Sequence, residues 1–128
     1  MEKLLIVDDE IDIVDYLSFG FEEAGYSIEK AFDGVEAVIS VIREKTIEVV
    51  LMDIRMPHLD GIEALRIIKE LNPDLPVIMF TGQAGRGDMA LTVKIGAYTC
   101  LAKPITVEKL LVLVKQLILE KKKGIKTL

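Results

Sequence analysis

The chain has 128 residues, 51% of them hydrophobic, with a formal net charge of −5 and one cysteine. That size and composition fit a single domain with its own core and argue against disorder, while the acidic balance argues against a nucleic-acid surface on this domain. A lone cysteine inside an apolar run excludes a disulfide framework and suits a reducing cytoplasm. The first apolar run is too short for a signal-peptide core, and no run approaches the roughly 20 apolar residues of a membrane span.

Apolar runs alternate with helix-like segments along the chain. Lys3-Leu4-Leu5-Ile6-Val7 reads as a strand that ends at Asp8-Asp9. Residues 10–24 carry Ile13, Val14, Leu17, Phe21 and Ala24 at mixed three- and four-residue steps, which predicts a helix stopped at Gly25. A short strand is expected over Ser27–Ala31, and Asp33-Gly34 is a turn in which Asp33 caps a helix over roughly 35–44. Glu48-Val49-Val50-Leu51-Met52 runs into Asp53, and after the loop at Pro57 and Gly61 a helix is predicted to about Leu71, stopped by Asn72-Pro73-Asp74. Val77-Ile78-Met79-Phe80 runs into Thr81. Gly82, Gly85 and Gly87 then make a loop before a helix over roughly 88–95, closed by Gly96. A fifth strand is placed over Tyr98–Ala102, ahead of Lys103-Pro104, and Thr106 caps a last helix to about Lys122.

Five β–α units with fully apolar strands imply an α/β fold, a parallel sheet covered on both faces and doubly wound by right-handed crossovers. Ligands in such folds sit beyond the carboxyl ends of the strands, where the strand order switches. The residues at those ends are Asp8, Asp9, Asp53, Thr81 and Lys103. Three carboxylates gathered in one cleft repel each other, and a divalent cation with a lysine offsets that repulsion. The set therefore reads as a site for a hard, oxygen-seeking cation and a phosphate. Asp9 has a second reading, as N-cap of the first helix. Asp53 is placed to act as a carboxylate nucleophile toward phosphorus, giving an aspartyl phosphate. Lys103 supplies a point charge for carboxylate and phosphate, ahead of a proline that tolerates a cis bond, and the Thr81 hydroxyl is placed to donate to a phosphoryl oxygen.

These stretches together resemble the receiver domain of two-component response regulators. The resemblance is carried by Ile6-Val7-Asp8-Asp9-Glu10, Leu51-Met52-Asp53-Ile54-Arg55-Met56-Pro57, Asp60-Gly61, Thr81-Gly82, Gly96-Ala97 and Lys103-Pro104, and it spans residues 3–121. It implies a flavodoxin-like sheet in the order 2-1-3-4-5 flanked by five helices, with residues 1–122 as the receiver and 123–128 as a tail or the start of a linker. It implies that Asp53 accepts the phosphoryl group, that Thr81 and Lys103 contact it, and that Asp8, Asp9, Asp53 and the backbone carbonyl of Arg55 hold Mg2+. Asp9 is then a direct ligand, and Asp8 acts largely through water. The implied partner is a sensor histidine kinase or phosphotransfer protein. The implied activity is that of a cytoplasmic signalling switch that catalyses its own phosphorylation and dephosphorylation.

Two departures and two surfaces complete the reading. Receivers usually carry Tyr or Phe three residues before the lysine, where this chain has Cys100. Tyr98, two residues earlier, is expected on the same strand face as Cys100. Either it substitutes for the missing aromatic, or switching relies on the glycine-rich 82–87 loop and the helix after it. Arg55 and Gln83, two residues past Asp53 and Thr81, are either solvated loop residues or tuners of phosphate lifetime. On the last helix, Val107, Leu110, Leu111, Val114, Leu117 and Ile118 form a core stripe. Val112 and Leu119 fall on the opposite face, as stray apolar residues or as a dimer or target patch on the fourth-helix, fifth-strand, fifth-helix face. Lys121-Lys122-Lys123 complements the dipole of that helix.

Other classes fit less well. A phosphohydrolase using an aspartyl phosphate typically places a second aspartate two residues after the nucleophile, where Arg55 stands here. A flavodoxin-like cofactor carrier needs a first loop that cradles phosphate, and Asp8-Asp9-Glu10 repels it. A degenerate receiver acting as a phosphorylation-independent interaction module is the remaining alternative, which Cys100 keeps open and the intact acidic set opposes.

Overall fold

Apolar residues on both sides of each strand require cover on both faces of a sheet, and the fold supplies it. The structure, a computed structural model, describes residues 1–82 and 86–124. Its elements run β1 (Lys3–Val7), α1 (Ile11–Glu23), β2 (Ser27–Ala31), α2 (Gly34–Arg43), β3 (Ile47–Asp53), α3 (Gly61–Leu71), β4 (Val77–Thr81), α4 (Arg86–Ile95), β5 (Thr99–Ala102) and α5 (Val107–Lys122). All strand pairs are parallel, in the order β2-β1-β3-β4-β5. This is the doubly wound, flavodoxin-like α/β architecture that the sequence implies. The expectations on Gln83, on Gly85 and on residues 125–128 lie outside the described residues, as does the centre of the 82–87 loop.

Alternation along the strands divides the core in two. Leu5, Val7, Val50, Met52, Val77 and Met79 pack under α2, α3 and α4. Leu4, Ile6, Val49, Leu51, Ile78 and Phe80 pack under α1 and α5. Burying a leucine- or valine-sized side chain stabilises by about 1.5–3 kcal/mol each, so these two layers supply most of the folding force.

Helix ends follow the local chemistry of the chain. Gly25 has φ +99° just past α1, a left-handed conformation that glycine adopts without strain. Asp33 caps α2 by accepting from the Glu36 amide at 2.8 Å, and Thr106 caps α5 by accepting from the Lys109 amide at 3.2 Å. Asp60 does the same for α3 through Glu63 at 3.0 Å. Asp9 does not cap α1. The N-cap residue is Glu10, which makes no side-chain cap bond, and it is Asp8 Oδ1 that accepts from the Glu10 amide at 3.0 Å. The lysines of the last turn of α5 are tied back to the body: Lys121 Nζ donates to the Glu48 carbonyl at 3.0 Å, and Lys122 pairs with Glu2 at 2.9 Å.

The expected placement of Tyr98 is overturned. β5 begins at Thr99, so two-residue alternation does not extend back to Tyr98, whose amide donates to the Val77 carbonyl at 2.8 Å. Tyr98 packs with Leu101 and Ile105 in the layer under α1 and α5, whereas Cys100 faces the layer under α2–α4. The ring therefore lies across the sheet from Cys100 and does not fill its place.

Candidate functional site

Sheet register builds the site. Val7 pairs with Met52, so Asp8 and Asp53 emerge side by side where β1 and β3 end. Asp53 pairs with Phe80 and Thr81 with Ala102, which sets Thr81 and then Lys103 along the same edge. The strand order switches between β1 and β3, which is where open α/β sheets leave a crevice.

One carboxylate oxygen from each of Asp8, Asp9 and Asp53 lies within 4.8 Å of the others. Asp8 and Asp53 are buried, and Asp9 is exposed. Lys103 Nζ reaches Asp8 Oδ2 at 3.0 Å, Asp53 Oδ2 at 3.7 Å and Glu10 Oε1 at 3.7 Å. It also lies 5.5 Å from the centre of the buried Phe80 ring, within cation–π range. The Lys103-Pro104 bond is cis. The Lys103 amide donates to the Thr81 carbonyl at 2.8 Å, which ties the loop after β5 to the end of β4. Thr81 is itself buried.

The electrostatics follow from this crowding. Burial, with the neighbouring Asp8 charge behind it, pushes the Asp53 carboxyl up to about 6, against the opposing pull of Lys103. Burial likewise raises Asp8 above the ordinary carboxylate range. For Lys103 burial acts downward, yet the hydrogen bond to Asp8 and the Asp53 charge outweigh it and hold the ammonium above its usual value. The cluster thus carries more negative charge than one lysine neutralises. An all-oxygen donor set of three carboxylates fits a hard divalent cation such as Mg2+.

The loop that carries the β3 end is held from several directions. The Ile54 amide donates to the Phe80 carbonyl at 3.0 Å, and the Gly61 amide donates to the Ile54 carbonyl at 2.7 Å. A Cβ at Gly61 would meet the Asp53 carbonyl oxygen at 2.1 Å, so only glycine lets α3 start this close to Asp53. His58 has φ 67°, a conformation that costs a non-glycine residue about 1 kcal/mol, and its Nδ1 sits 3.1 Å from Asp33 Oδ2 at the α2 cap. The Arg55 guanidinium pairs with Asp88 in the first turn of α4.

All five expected strand-end side chains therefore fall on one edge, with Asp8, Asp53 and Lys103 in direct ionic contact and Asp9 alongside. Sequence reasoning gave Glu10 no contact with Lys103 and assigned no role to His58 or Asp88. Glu10 follows the aspartate pair and carried a legible charge. The other two act through partners far away in the chain, which no local pattern reveals.

Comparison with known proteins agrees with this geometry. The family described as "Response regulator receiver domain" matches residues 4–115. A transcriptional regulatory protein of Haemophilus influenzae, a CpxR homolog, is 36% identical over 118 residues, which are 92% of this chain and 51% of that protein. The chain thus spans about half the length of this curated relative. A receiver domain structure from Clostridium thermocellum superposes with a TM-score of 0.90 at 32% identity, covering 98% of this chain and 100% of that one. A chain in the crystal structure of a CheX–CheY–BeF3–Mg2+ complex from Borrelia burgdorferi is 34% identical with a TM-score of 0.84, covering 91% of this chain and 88% of that one. The chain belongs to the response regulator receiver domain family of two-component systems, a family of signalling switches whose members bind Mg2+ in an acidic pocket and interact with histidine kinases or phosphotransfer proteins. Among the described residues no helix is long and apolar enough to cross a membrane.

Proposed function

We propose that this receiver takes a phosphoryl group onto Asp53 in a Mg2+-dependent reaction and switches a partner-binding surface in response. The observation that carries the reading is the meeting of Asp8, Asp9, Asp53 and Lys103 at the end of β1, β3 and β5. Asp8, Asp9, Asp53 and the Arg55 carbonyl would hold the ion, which when bound neutralises the carboxylates and the phosphoryl oxygens. An Asp53 carboxylate oxygen attacks phosphorus, and the donor, a phosphohistidine or a small phosphodonor, departs with the electron pair of its bond to phosphorus and gains a proton. Lys103 and the Thr81 hydroxyl orient and neutralise the transferred group. In the reverse phase water attacks phosphorus, the bond to Asp53 breaks, and carboxylate and inorganic phosphate are released. Positioning and charge supply most of the acceleration in such transfers. The tight carboxylate–lysine set favours this reading over a phosphorylation-independent interaction module.

The domain proper is residues 1–122, with 123–128 as a tail or linker, and its place of action is the cytoplasm. Its partner is a sensor histidine kinase or phosphotransfer protein. The α4–β5–α5 face offers a second copy or a target the exposed Val112 and Leu119, at 69% and 52% exposure. The domain itself makes no nucleic-acid contact and no membrane contact in this reading. Arg55 tunes the phosphate lifetime, so Arg55→Ala changes hydrolysis more than Mg2+ affinity.

Incubation with acetyl phosphate and Mg2+, followed by intact mass measurement, tests the chemistry. A phosphate-sized gain in the parent that is absent from Asp53→Asn is expected. An equal gain in both overturns the assignment of Asp53.

A further inference from the structure

Arg55 stands two residues beyond Asp53, and its guanidinium is engaged by Asp88 Oδ2 on α4. On a well-packed helix one half-exposed ion pair matters little. α4 is not such a helix. From Asp88 to Ile95 only Thr92 is buried, and Val93 is 50% exposed. Thr92 donates to the Met89 carbonyl at 2.8 Å. The start of α4 is thus tied to the loop that follows Asp53, and its middle rests on a small side chain.

We propose that the Arg55–Asp88 ion pair is a latch through which the state of Asp53 reaches α4: a phosphoryl group on Asp53 draws the Arg55 guanidinium off Asp88 and frees the first turn of that helix. The proposal rests on the reading of Asp53 as phosphoacceptor. Aspartyl phosphate carries about two negative charges where the free carboxylate carried one; Mg2+ and Lys103 offset part of that charge, but the group adds strong acceptor oxygens that compete with the single Asp88 carboxylate. The planar guanidinium matches that group in a two-pronged contact and is the better partner for it. Asp88 without its arginine still sits favourably at a helix N-terminus, so α4 stays helical and loses only its tie to the β3–α3 loop. Cys100 provides no ring to move behind Thr81, and the ion pair gives the signal another route. Coupling is reciprocal: a partner that prefers the released α4 favours phosphorylated Asp53 by the same factor.

Amide spectra of the 15N-labelled chain before and after treatment with acetyl phosphate and Mg2+, with intact mass taken on the same samples, test the latch. In the parent the amides of residues 88–95 shift on phosphorylation. In unphosphorylated Asp88→Asn they already lie toward the phosphorylated positions, while amides of β1 and β3 stay put and report an intact fold. Asp88→Glu restores parent behaviour. If Asp88→Asn gains phosphate normally while its α4 amides match the parent in both states, the latch is overturned and the phosphoacceptor reading stands. If the parent gains no mass, both fall together.

Discussion

Helices α4 and α5 cover opposite faces of the sheet, and they are anchored in opposite ways. α5 buries Val107, Leu110, Val114, Leu117 and Ile118 against the strands, and Thr106 caps it. α4, over its described side chains, buries Thr92 alone and holds its first turn by an ion pair. Apolar burial is worth kilocalories per side chain and does not change when a charge is added nearby. A half-exposed ion pair is worth a fraction of that and changes readily. The chain thus fixes one helix along its length by packing and leaves the first turn of the other to an ion pair, close to the group whose charge is expected to change.

The first way to sharpen this contrast is to remove core volume from each helix. Leu117→Ala in α5 is expected to cost about 3 kcal/mol in urea unfolding, whereas Leu91→Ala in α4 costs about 1 kcal/mol or less. Equal losses would show that α4 is packed as firmly as α5.

The next largest effect belongs to the carboxylate cluster. Asp53 titrates at about 6 in the fold, above the ordinary aspartate value of 3.8, so the folded state holds its proton more tightly than the unfolded chain. The stability linked to that proton is fully present below pH ~4 and is lost as pH rises through ~6. In metal-free buffer Asp53→Asn should therefore match the parent near pH 4 and exceed it by about 3 kcal/mol at pH 8. Mg2+ should narrow that gap by stabilising the parent. A gap that is independent of pH would contradict the electrostatic account of the site. The smallest effect expected is Thr106→Ala, which removes the α5 cap at a cost of about 1 kcal/mol by thermal unfolding without touching phosphorylation.

Much of this was legible from the residues. The apolar runs ending at Asp8, Asp53, Thr81 and Lys103 place the site because parallel strands deliver their carboxyl ends to one edge, whatever the helices between them do. β1 and β2 fall where the sequence places them, and Asp33, Gly25 and Thr106 act as their local chemistry dictates. What could not be read depends on tertiary placement. Tyr98 precedes β5 rather than belonging to it, so alternation put it on the wrong face. Arg55–Asp88 and His58–Asp33 join residues that are 33 and 25 positions apart in the chain, and only the packing of α2, α3 and α4 on one sheet face brings them together. The role of Gly61 is a matter of backbone crowding against Asp53 that composition does not encode.

The reading of Asp53 depends on distant carboxylates sharing one ion at the ends of β1 and β3. Titration with Mn2+ in place of Mg2+, read as paramagnetic broadening of backbone amides, tests it most directly. Broadening centred on residues 8–10 and 53–55, and reduced in Asp53→Asn, is the predicted result. Broadening centred elsewhere on the chain, or unchanged by loss of the Asp53 carboxylate, would contradict it.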